Sequence, residues 1–413
     1  MDHRLATSIS RLSPLRSLHY YVSVFSRRTD WKLNPNGLTL AQREITAAGG
    51  ELLDLTASNP TRIGLNYDVD AILTSLAQPA ALVYDPQPKG LLSAREAIAT
   101  YYRDQHDVFD VNPCNILLTT STSEAYADIF RLLANTDDQI LVPKPSYPLF
   151  DFLADLQDVK LVSYPLIYDH GWHMDFPSLY KAVTHHTRAV VVVHPNNPTG
   201  SYVREDEVGS LNSFCREYNL AIISDEVFLD YAHDGADRST FAGNREVLTF
   251  TLSGLSKISC LPQMKIAWAA VNGPEQQLLE AMARLEVIAD TFLSMNAPLQ
   301  LATPALLDQR KHLQPLLLDR LRVNLEELDR QLVHHPAAQR LQVEGGWYAV
   351  LRVPVTQSDE ELAIRILRDC SVLVHPGHFY DFPTEGYLVL SLITPADEFR
   401  EAVERLLRVV TAM

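Results

Sequence analysis

A lysine set among hydroxyl side chains separates two apolar runs of this sequence. Lys257 follows the run Val247 to Leu252 and the turn Ser253-Gly254, and it precedes the run Ile266 to Val271. An amine that is partly removed from water has a lowered pKa and attacks an aldehyde, and neighbouring hydroxyls and cations can hold a phosphate. The stretch is therefore typical of a lysine that forms a Schiff base, and a solvated lysine at a turn between strands is the alternative.

Polar residues follow five predicted strands at their carboxyl ends. These residues are Ser121 to Ser123, Pro145 to Tyr147, Asn196 to Gly200, Asp225-Glu226 and Ser256-Lys257. Ligands bind beyond the carboxyl ends of the strands in a parallel sheet, so the five groups are expected to meet at one rim. One or two polar groups could follow strands by chance, but chance does not readily place all five. Their order along the chain therefore indicates one composite site.

The first of these groups also has the signature of an anion site. Ser121 and Glu124 have the spacing of a capping box that opens a helix from Ala125 to Ala134. Free backbone N–H groups and the helix dipole favour an anion at such a helix start. A plain helix cap is the alternative, and this stretch alone does not decide between the two.

Length and composition limit the class of protein. The 413 residues carry 51 acidic and 35 basic side chains, a net charge of −16, which gives no general attraction to nucleic acid or to an anionic membrane. The four cysteines lack CxxC spacing and the histidines show no ligand spacing, so no metal site is expected. No apolar run is long enough for a signal peptide or a membrane span, which favours a cytoplasmic protein.

The predicted elements place these groups on an α/β fold. Short strands rich in valine and isoleucine alternate with helices, which is typical of a mostly parallel central sheet covered by helices. The chain is too long for one core, so we expect a large domain at residues 66–305 and a smaller α+β domain made of residues 1–65 and 306–413. A helix from Leu313 to Leu332 is expected to join them. Residues 1 to about 35, which contain Arg4, Arg11, Arg16, Arg27 and Arg28, are interpreted as an arm lying across another surface.

Three motifs carry a resemblance to a known family. HPNNPTG spans His194 to Gly200, SDEVF spans Ser224 to Phe228, and SGLSK spans Ser253 to Lys257. With these motifs in this order, the chain from about Asp54 to Leu407 resembles the class I/II aminotransferases, which are fold-type I enzymes that depend on pyridoxal 5'-phosphate (PLP). The resemblance implies that fold, PLP as the cofactor, and a homodimer with shared active sites.

The resemblance also implies roles for individual residues. Lys257 would form the Schiff base with the cofactor and later move a proton, and Asp225 would pair with the pyridine nitrogen. Asn197 would donate to the ring hydroxyl, and Tyr147 would stack on the ring. The groups that would bind phosphate are Thr122, Ser123, Ser256 and Lys265, with Tyr84 reaching the phosphate of the neighbouring subunit.

Three positions depart from the family's pattern. Phe228 stands where a tyrosine hydroxyl commonly bonds the ring oxygen, so that hydrogen bond is lost. Lys265 stands where arginine is usual, and lysine offers a point charge in place of a bidentate fork. Val389 stands where many members have the arginine that binds the substrate α-carboxylate. Either another group binds that carboxylate, or the substrate has no free α-carboxylate to bind.

The polar loop from Ser58 to Arg62 resembles the family's substrate-contacting N-terminal segment. A carboxylate in a closed site needs a cation or several donors to offset its desolvation. Arg62 is the expected cation, and a solvated surface arginine is the alternative. The expected substrate-binding residues are Asn59, Arg62 and Asn197, with the partner subunit's Lys89 behind them.

The expected activity is the transfer of an amino group between an amino acid and a 2-oxo acid. A PLP-dependent lyase or decarboxylase on the same scaffold is an alternative, because it uses the same electron sink and needs no second half-reaction. A non-catalytic PLP-binding regulator is a further alternative. The acidic charge of the chain and the shortness of its N-terminal arm, which has no room for a DNA-binding domain, stand against that regulator.

Overall fold

The structure is a computed structural model that describes residues 24–233 and 239–412. In chain order the strands are β1 (Leu53–Asp54), β2 (Ile116–Thr119), β3 (Gln139–Lys144), β4 (Lys160–Tyr168), β5 (Trp172–Met174), β6 (Thr187–Val193), β7 (Ala221–Asp225), β8 (Thr249–Gly254), β9 (Ala267–Asn272), β10 (Gln339–Arg340), β11 (Tyr348–Arg352), β12 (Val372–Leu373), β13 (His375–Pro376) and β14 (Tyr387–Ser391). The α-helices are α1 (Gly37–Ala47), α2 (Val69–Leu76), α3 (Leu92–His106), α4 (Thr122–Leu133), α5 (Phe150–Leu156), α6 (Phe176–Ala182), α7 (Glu205–Tyr218), α8 (Leu255–Ile258), α9 (Glu275–Phe292), α10 (Ala297–Asp308), α11 (Arg310–Leu332), α12 (Asp359–Cys370) and α13 (Ala396–Thr411).

The large sheet has eight strands in the order β2-β9-β8-β7-β6-β3-β4-β5. The neighbouring pairs β8 and β7, β7 and β6, β6 and β3, and β3 and β4 are parallel. Strand β9 runs antiparallel to both of its neighbours, and β5 is antiparallel to β4. The prediction of a mostly parallel central sheet is therefore confirmed.

Helices cover both faces of this sheet, which explains the continuous apolar runs in the sequence. Successive side chains of a strand point to opposite faces. In β6, Val191 and Val193 pack in a core with α4, α5 and α9, whereas Val190 and Val192 pack in a core with α6 and α7. A third core lies under α3 and α10. A strand buried on both faces has no polar side to alternate with its apolar side.

Segments from both ends of the described chain form a second lobe. Its antiparallel sheet has the order β10-β11-β14-β13, and β1 pairs in parallel with β12. Leu38 of α1 and Leu55, just after β1, share one core with α11, α12 and α13. Helix α11, expected from leucine spacing to start at Leu313, begins at Arg310. The domain boundaries at residues 65/66 and 305/306 stay a prediction.

The described part of the N-terminal arm lies against the large lobe of the same chain. Arg28 forms an ion pair with Asp158 at 2.8 Å, and the ring of Trp31 packs edge-on against Phe152. Residues 1–23, which include the other three arginines assigned to the arm, lie outside the described residues. Within the described part of the chain, no helix is long and apolar enough to cross a membrane.

The strand expected from Val159 to Tyr164 is longer than its apolar run. It continues to Tyr168 as β4 and turns back as β5, a short strand that the sequence did not predict. The turn is closed by a backbone hydrogen bond of 2.8 Å from Asp169 to Gly171, and Gly171 has a φ of 138°. Glycine adopts such a backbone conformation without steric cost, so this residue permits the hairpin.

Candidate active site

A large cleft at the carboxyl ends of β6, β7 and β8 brings together residues from both lobes. The predicted site residues that line it are Asn59, Arg62, Thr122, Ser123, Tyr147, Asn197, Asp225, Ser256, Lys257 and Lys265. The structure thus gathers, from widely separated parts of the sequence, the groups expected at one rim. Tyr84 does not line the cleft of its own chain.

Lys257 lies in the short helix α8, and not in the simple turn between strands that the sequence suggested. Strand β8 ends at Gly254, where a Cβ atom would lie only 2.8 Å from the carbonyl oxygen of Ile266. Glycine therefore allows β8 to approach the start of β9 closely just before the chain enters α8. The hydroxyl of Tyr231 donates a hydrogen bond of 2.6 Å to the carbonyl oxygen of Lys257, which fixes the helix in place.

The amine of Lys257 lies against aromatic rings. Its Nζ atom is 4.3 Å from the centroid of the Trp347 ring and 5.2 Å from the centroid of the Phe228 ring. Burial lowers the pKa of Lys257 from 10.5 to about 8, and attraction to the Asp225 carboxylate opposes this lowering. More of the amine is therefore neutral and nucleophilic at neutral pH than in an exposed lysine.

Asp225 is the last residue of β7 and is buried. Its Oδ2 atom accepts a hydrogen bond from the Tyr126 hydroxyl at 3.2 Å, and its Oδ1 atom accepts one from the backbone N–H of Val227 at 3.2 Å. Burial raises the pKa of the carboxyl group to about 6, while these hydrogen bonds and the charge of Lys257 act against the rise. Asp225 is therefore mainly anionic at neutral pH.

Helix α4 begins at the cleft with a capped first turn. The Oγ atom of Ser121 accepts a hydrogen bond from the backbone N–H of Glu124 at 3.1 Å, as the sequence predicted. In a full capping box the Glu124 carboxylate would accept from the backbone N–H of Ser121. Here it accepts from the backbone N–H and the hydroxyl of Thr120, at 2.5 and 2.6 Å, one residue earlier. The first N–H groups of the helix have no carbonyl partner within it and remain available to an anion.

Four polar or basic side chains that line the cleft have the chemistry of an anion site, and we call them the anion cradle. The cradle consists of the hydroxyls of Thr122, Ser123 and Ser256 and the ammonium group of Lys265. Within the residues that the structure describes, none of the four has a hydrogen-bond or ion-pair partner. Three unsatisfied hydroxyl donors, one cation and the positive end of a 12-residue helix are the chemistry that a phosphate group requires.

Asn197 and Tyr147 are held by a pair of residues that the sequence did not single out. The Oδ1 atom of Asn197 is buried without a hydrogen-bond partner in the described chain. Next to it, the amide of Asn196 donates to the carbonyl oxygen of Pro145 at 3.1 Å and accepts from the hydroxyl of Ser146 at 3.1 Å. These bonds join the loops after β3 and β6, which brings Tyr147 and Asn197 together. Both loops had been expected at the rim, but their mutual hydrogen bonds have no signal in the sequence.

The loop from Ser58 to Arg62 closes one side of the cleft. The side chain of Asn59 accepts hydrogen bonds from the backbone and the hydroxyl of Thr61, at 3.0 and 2.7 Å, which shapes a single turn of 3₁₀-helix. The loop is tied to the small sheet because the hydroxyl of Ser391 donates to the carbonyl oxygen of Ala57 at 2.5 Å. Arg62 ends this turn and lines the cleft.

The cleft also contains residues that the sequence did not assign to it. Tyr348, His375 and Tyr380 line it on the side of the small lobe, and Trp347 covers Lys257. The sequence had set the histidines aside as metal ligands and had given His375 no other role. Tyr348 and His375 share a sheet face with Val389, but this follows from the pairing of three strands. Alternation within one strand would not have found them. Strand pairing is not visible in one sequence.

The donor set matches a cofactor that carries an aldehyde, a ring nitrogen and a phosphate. Lys257 suits the aldehyde, Asp225 suits a protonated ring nitrogen, and the anion cradle suits the phosphate. Asn197 adds an unsatisfied buried polar atom between them. The fold and the cleft thus define an enzyme that transfers amino groups. The chain belongs to the aminotransferase class I and II family, whose model matches residues 53–406.

The chain is similar to curated aminotransferases over most of its length. It is 27% identical over 369 residues to glutamate-pyruvate aminotransferase AlaA of Haemophilus influenzae, with 87% of this chain and 91% of that protein covered. It is 28% identical over 374 residues to alanine aminotransferase of Mycobacterium bovis, with 88% and 86% covered. These similarities support amino-group transfer, and they do not favour a lyase, a decarboxylase or a non-catalytic regulator.

Solved structures share the fold. Alanine aminotransferase from Pyrococcus furiosus superposes with a TM-score of 0.84 at 23% sequence identity, covering 91% of this chain and 96% of that chain. Aspartate aminotransferase of Thermus thermophilus, solved as a double mutant, superposes with a TM-score of 0.80 at 21% identity, covering 93% and 99%. The fold-type I architecture expected from the sequence is therefore confirmed.

Proposed function

We propose that the chain binds PLP in this cleft and moves an amino group between a small amino acid and a 2-oxo acid. The observation that carries the proposal is the meeting of Lys257, Asp225 and the anion cradle at one rim. PLP, when bound, supplies an aldehyde and a ring that accepts electrons from the substrate Cα atom. Lys257 would hold the aldehyde of the cofactor, and its Nζ atom, once the substrate amine has taken its place, would accept the proton from Cα.

The other site residues orient and charge the cofactor in this proposal. Asp225 keeps the ring nitrogen protonated, because a buried carboxylate favours a cation beside it. Asn197 bonds the ring hydroxyl, and Tyr147 packs against the ring. The cradle of Thr122, Ser123, Ser256 and Lys265 binds the phosphate. Phe228 contributes packing only, since it has no hydroxyl to offer the ring oxygen.

The substrates are proposed from the relatives and from the site together. Two curated relatives are named for alanine or for glutamate and pyruvate, which are a small amino acid, an acidic amino acid and a 2-oxo acid. We place Asn59, Arg62 and Asn197 around the substrate. Arg62 lies on a loop tied to the small sheet and supplies a positive charge for a carboxylate at the cleft.

A homodimer with shared sites is also part of the proposal. Tyr84 is 79% exposed, and the neighbouring Leu82 and Val83 are 92% and 64% exposed. Three consecutive exposed hydrophobic residues are unusual on a surface that meets only water. A second copy whose cleft receives Tyr84 would cover them, and the partner subunit's Lys89 would approach the same site. The proposed compartment is the cytoplasm, where the cofactor and both substrate classes occur dissolved.

The test is to add a panel of amino acids to the purified holoenzyme and record the cofactor spectrum. Conversion of PLP to its amine form, with release of the matching 2-oxo acid, is the expected result for at least one small amino acid. A persistent covalent adduct with release of ammonia or carbon dioxide would instead identify a lyase or a decarboxylase. A spectrum that no amino acid changes would overturn the proposal.

A further inference from the structure

One wall of the cleft is the face of the small sheet that carries Val389. In β14, Val389 is paired with His375 of β13 and with Val350 of β11. Tyr348 of β11 is paired with Ser391, which lies two residues further along β14. Paired residues, and residues two apart in one strand, point to the same face of a sheet. Because Tyr348 and His375 line the cleft, this face borders the substrate space.

This wall carries no charge. Val389 is fully buried and apolar. Burial lowers the pKa of His375 to about 4, so its imidazole is neutral at neutral pH and has one N–H group. Burial also raises the pKa of Tyr348, which keeps its phenol proton. The wall therefore offers neutral hydrogen-bond donors where the family's pattern has an arginine.

Two polar atoms on the wall are free to bind a ligand. The Nδ1 atom of His375 lies 3.1 Å from the hydroxyl oxygen of Tyr380. If the Tyr380 hydroxyl donates to Nδ1, the ring proton is on Nε2. Across residues 24–233 and 239–412, neither the Nε2 atom of His375 nor the hydroxyl of Tyr348 has a hydrogen-bond partner. Two unsatisfied donors beside a cleft fit an acceptor from a ligand.

Ring contacts connect Tyr348 and Tyr380 to the reactive lysine through Phe228. The ring centroid of Phe228 is 5.2 Å from Nζ of Lys257 and 6.4 Å from the ring centroid of Tyr348. The Tyr348 ring is in turn 6.5 Å from that of Tyr380. Tyr348 is therefore separated from the reactive amine by one ring, and Lys257, Tyr348 and His375 line the same cleft.

Three basic residues of the cleft were assigned roles from the sequence. Lys257 and Lys265 are assigned to the cofactor, and Arg62 lines the same cleft from the loop between Ser58 and Arg62. Just before that loop, the carbonyl oxygen of Ala57 accepts a hydrogen bond from the hydroxyl of Ser391, a residue of the wall. Arg62 and the wall therefore line the same cleft, where the wall can supply directional donors while Arg62 supplies charge.

We propose that Tyr348 and His375 bind the α-carboxylate of the amino acid as neutral hydrogen-bond donors, with Tyr380 as the positioning residue that sets the imidazole tautomer. The inference rests on the proposed function, because it concerns the amino-acid substrate of the same site. Hydrogen bonds to a charged acceptor are stronger than those to a neutral one. The pair therefore distinguishes a carboxylate from the uncharged amide of the same amino acid.

The test compares L-alanine with L-alaninamide on holoenzyme carrying Tyr348→Phe or His375→Phe. Each substitution is expected to raise the half-saturating concentration of L-alanine about 10- to 100-fold, the size of a hydrogen bond to a charged group. The half-saturating concentration of L-alaninamide is expected to change by less than about twofold. The rate at saturating L-alanine should fall much less than the affinity, because the donors bind the substrate before and during reaction.

Two further variants separate binding from structure. His378→Phe is the matched control, since His378 lines the cleft on the same loop but packs on Phe379 at 4.7 Å between ring centroids. It should leave both half-saturating concentrations unchanged. His375→Gln retains an N–H donor and should restore part of the affinity for L-alanine. Melting temperature and the absorbance of lysine-bound PLP report whether each variant is folded.

The outcomes distinguish this inference from the proposed function. If wild-type holoenzyme responds to L-alanine but both variants stay within twofold of it, the carboxylate is bound elsewhere and the inference is overturned. Equal weakening of L-alanine and L-alaninamide would show a packing effect, which also overturns it. A wild-type enzyme that responds to no amino acid would refute the proposed function itself.

Discussion

Burial acts in opposite directions on the two charged residues at the centre of the cleft. It lowers the pKa of Lys257 to about 8 and raises the pKa of Asp225 to about 6. Each group is thus destabilised in its charged form, and their mutual attraction offsets only part of this cost. Groups shifted in this way are concentrated at reactive sites, because the chemistry needs an amine and a carboxylate with altered proton affinities.

Replacing the lysine should remove the chemistry and spare the fold. In Lys257→Ala, we expect no absorbance band of lysine-bound PLP and no amino-group transfer, because Lys265, which also lines the described cleft, is expected at the phosphate and not at the aldehyde. The melting temperature should not fall, since the substitution removes a charge from a site that destabilises it. Lys311→Ala, which changes an exposed lysine paired with Asp308, is the control and should behave like wild type. Activity retained in Lys257→Ala would disprove the assignment.

The lowered pKa of Lys257 predicts how fast the cofactor-free enzyme captures PLP. Only the neutral amine attacks an aldehyde, so the capture rate should rise with pH and level off above about 8. The pKa of Lys257 is 10.5 in the unfolded chain and about 8 in the folded chain. By linkage, its contribution to the stability of the cofactor-free chain is fully present above pH 10.5 and is lost as pH falls through about 8. Stopped-flow absorbance between pH 6.5 and pH 10 gives the midpoint, within about a unit. A midpoint near 10.5 would mean that the amine is exposed.

Arg62 gives a prediction about charge. In Arg62→Ala the KM for the amino acid should rise about 10- to 100-fold, with little change in PLP affinity, because a charged partner of the carboxylate is lost. Steady-state kinetics and a PLP titration measure the two quantities. Arg43→Ala is a suitable control, since Arg43 is another arginine that lines the cleft. A KM within twofold of wild type would exclude Arg62 from substrate binding.

At the scale of elements, the strands that end at the cleft were the most predictable part of the fold. Runs such as Val190 to Val193 are buried on both faces, so their apolar pattern carries over directly into the sheet. The short helix α8 was less predictable, because its four residues are too few to show the 3.6-residue periodicity of a helix. The hairpin of β4 and β5 was missed for a related reason, since Gly171 and its neighbours specify a turn only in the presence of both strands.

The junction between β8 and α8 gives a prediction about packing. In Gly254→Ala the new Cβ would meet the Ile266 carbonyl oxygen at 2.8 Å and the Ala267 Cβ at 2.9 Å, so the two strands must separate. We expect a loss of about 1–3 kcal/mol in the free energy of unfolding, together with weaker PLP capture. Gly209→Ala in α7 is the matched control, because nothing lies within 4 Å of its added Cβ.

The control should gain about 0.5–1 kcal/mol, since alanine stabilises a helix interior relative to glycine. Denaturant unfolding of the cofactor-free chains measures both changes. An unchanged free energy of unfolding in Gly254→Ala would mean that β8 and β9 are not in close contact at this point.

At the scale of the whole molecule, the wall that we assign to the carboxylate could not be predicted from the sequence. Tyr348, His375 and Val389 lie in three strands, and only their pairing places them on one face. The residues expected to bind the cofactor were easier to group, because most of them follow the end of a strand and strand ends meet at one rim. A net charge of −16 also indicates that anionic cofactor and substrate are held by local groups rather than by a general field.

The proposed homodimer gives a prediction about mixed subunits. Lys257→Ala lacks the lysine, and Tyr84→Phe lacks the hydroxyl that the neighbouring site would use. A dimer with one subunit of each kind has one site with both groups intact, the site in the Tyr84→Phe subunit. Refolding the two variants together should therefore give more activity than the mean of the two alone. No such gain, or a single-subunit mass by light scattering, would contradict shared sites.

The pairing of β1 with β12 has a consequence for how the enzyme is made. Leu53 leaves the ribosome long before Val372, its partner in the ladder, and Leu55 must likewise await the core formed by α11, α12 and α13. The large sheet can fold during translation, because its strands are complete by Asn272. The segment from α1 to Arg62 meanwhile waits without its partners. A growing chain can therefore bring the anion cradle together early, yet it completes the wall of Tyr348 and His375 only as its last strands are synthesised.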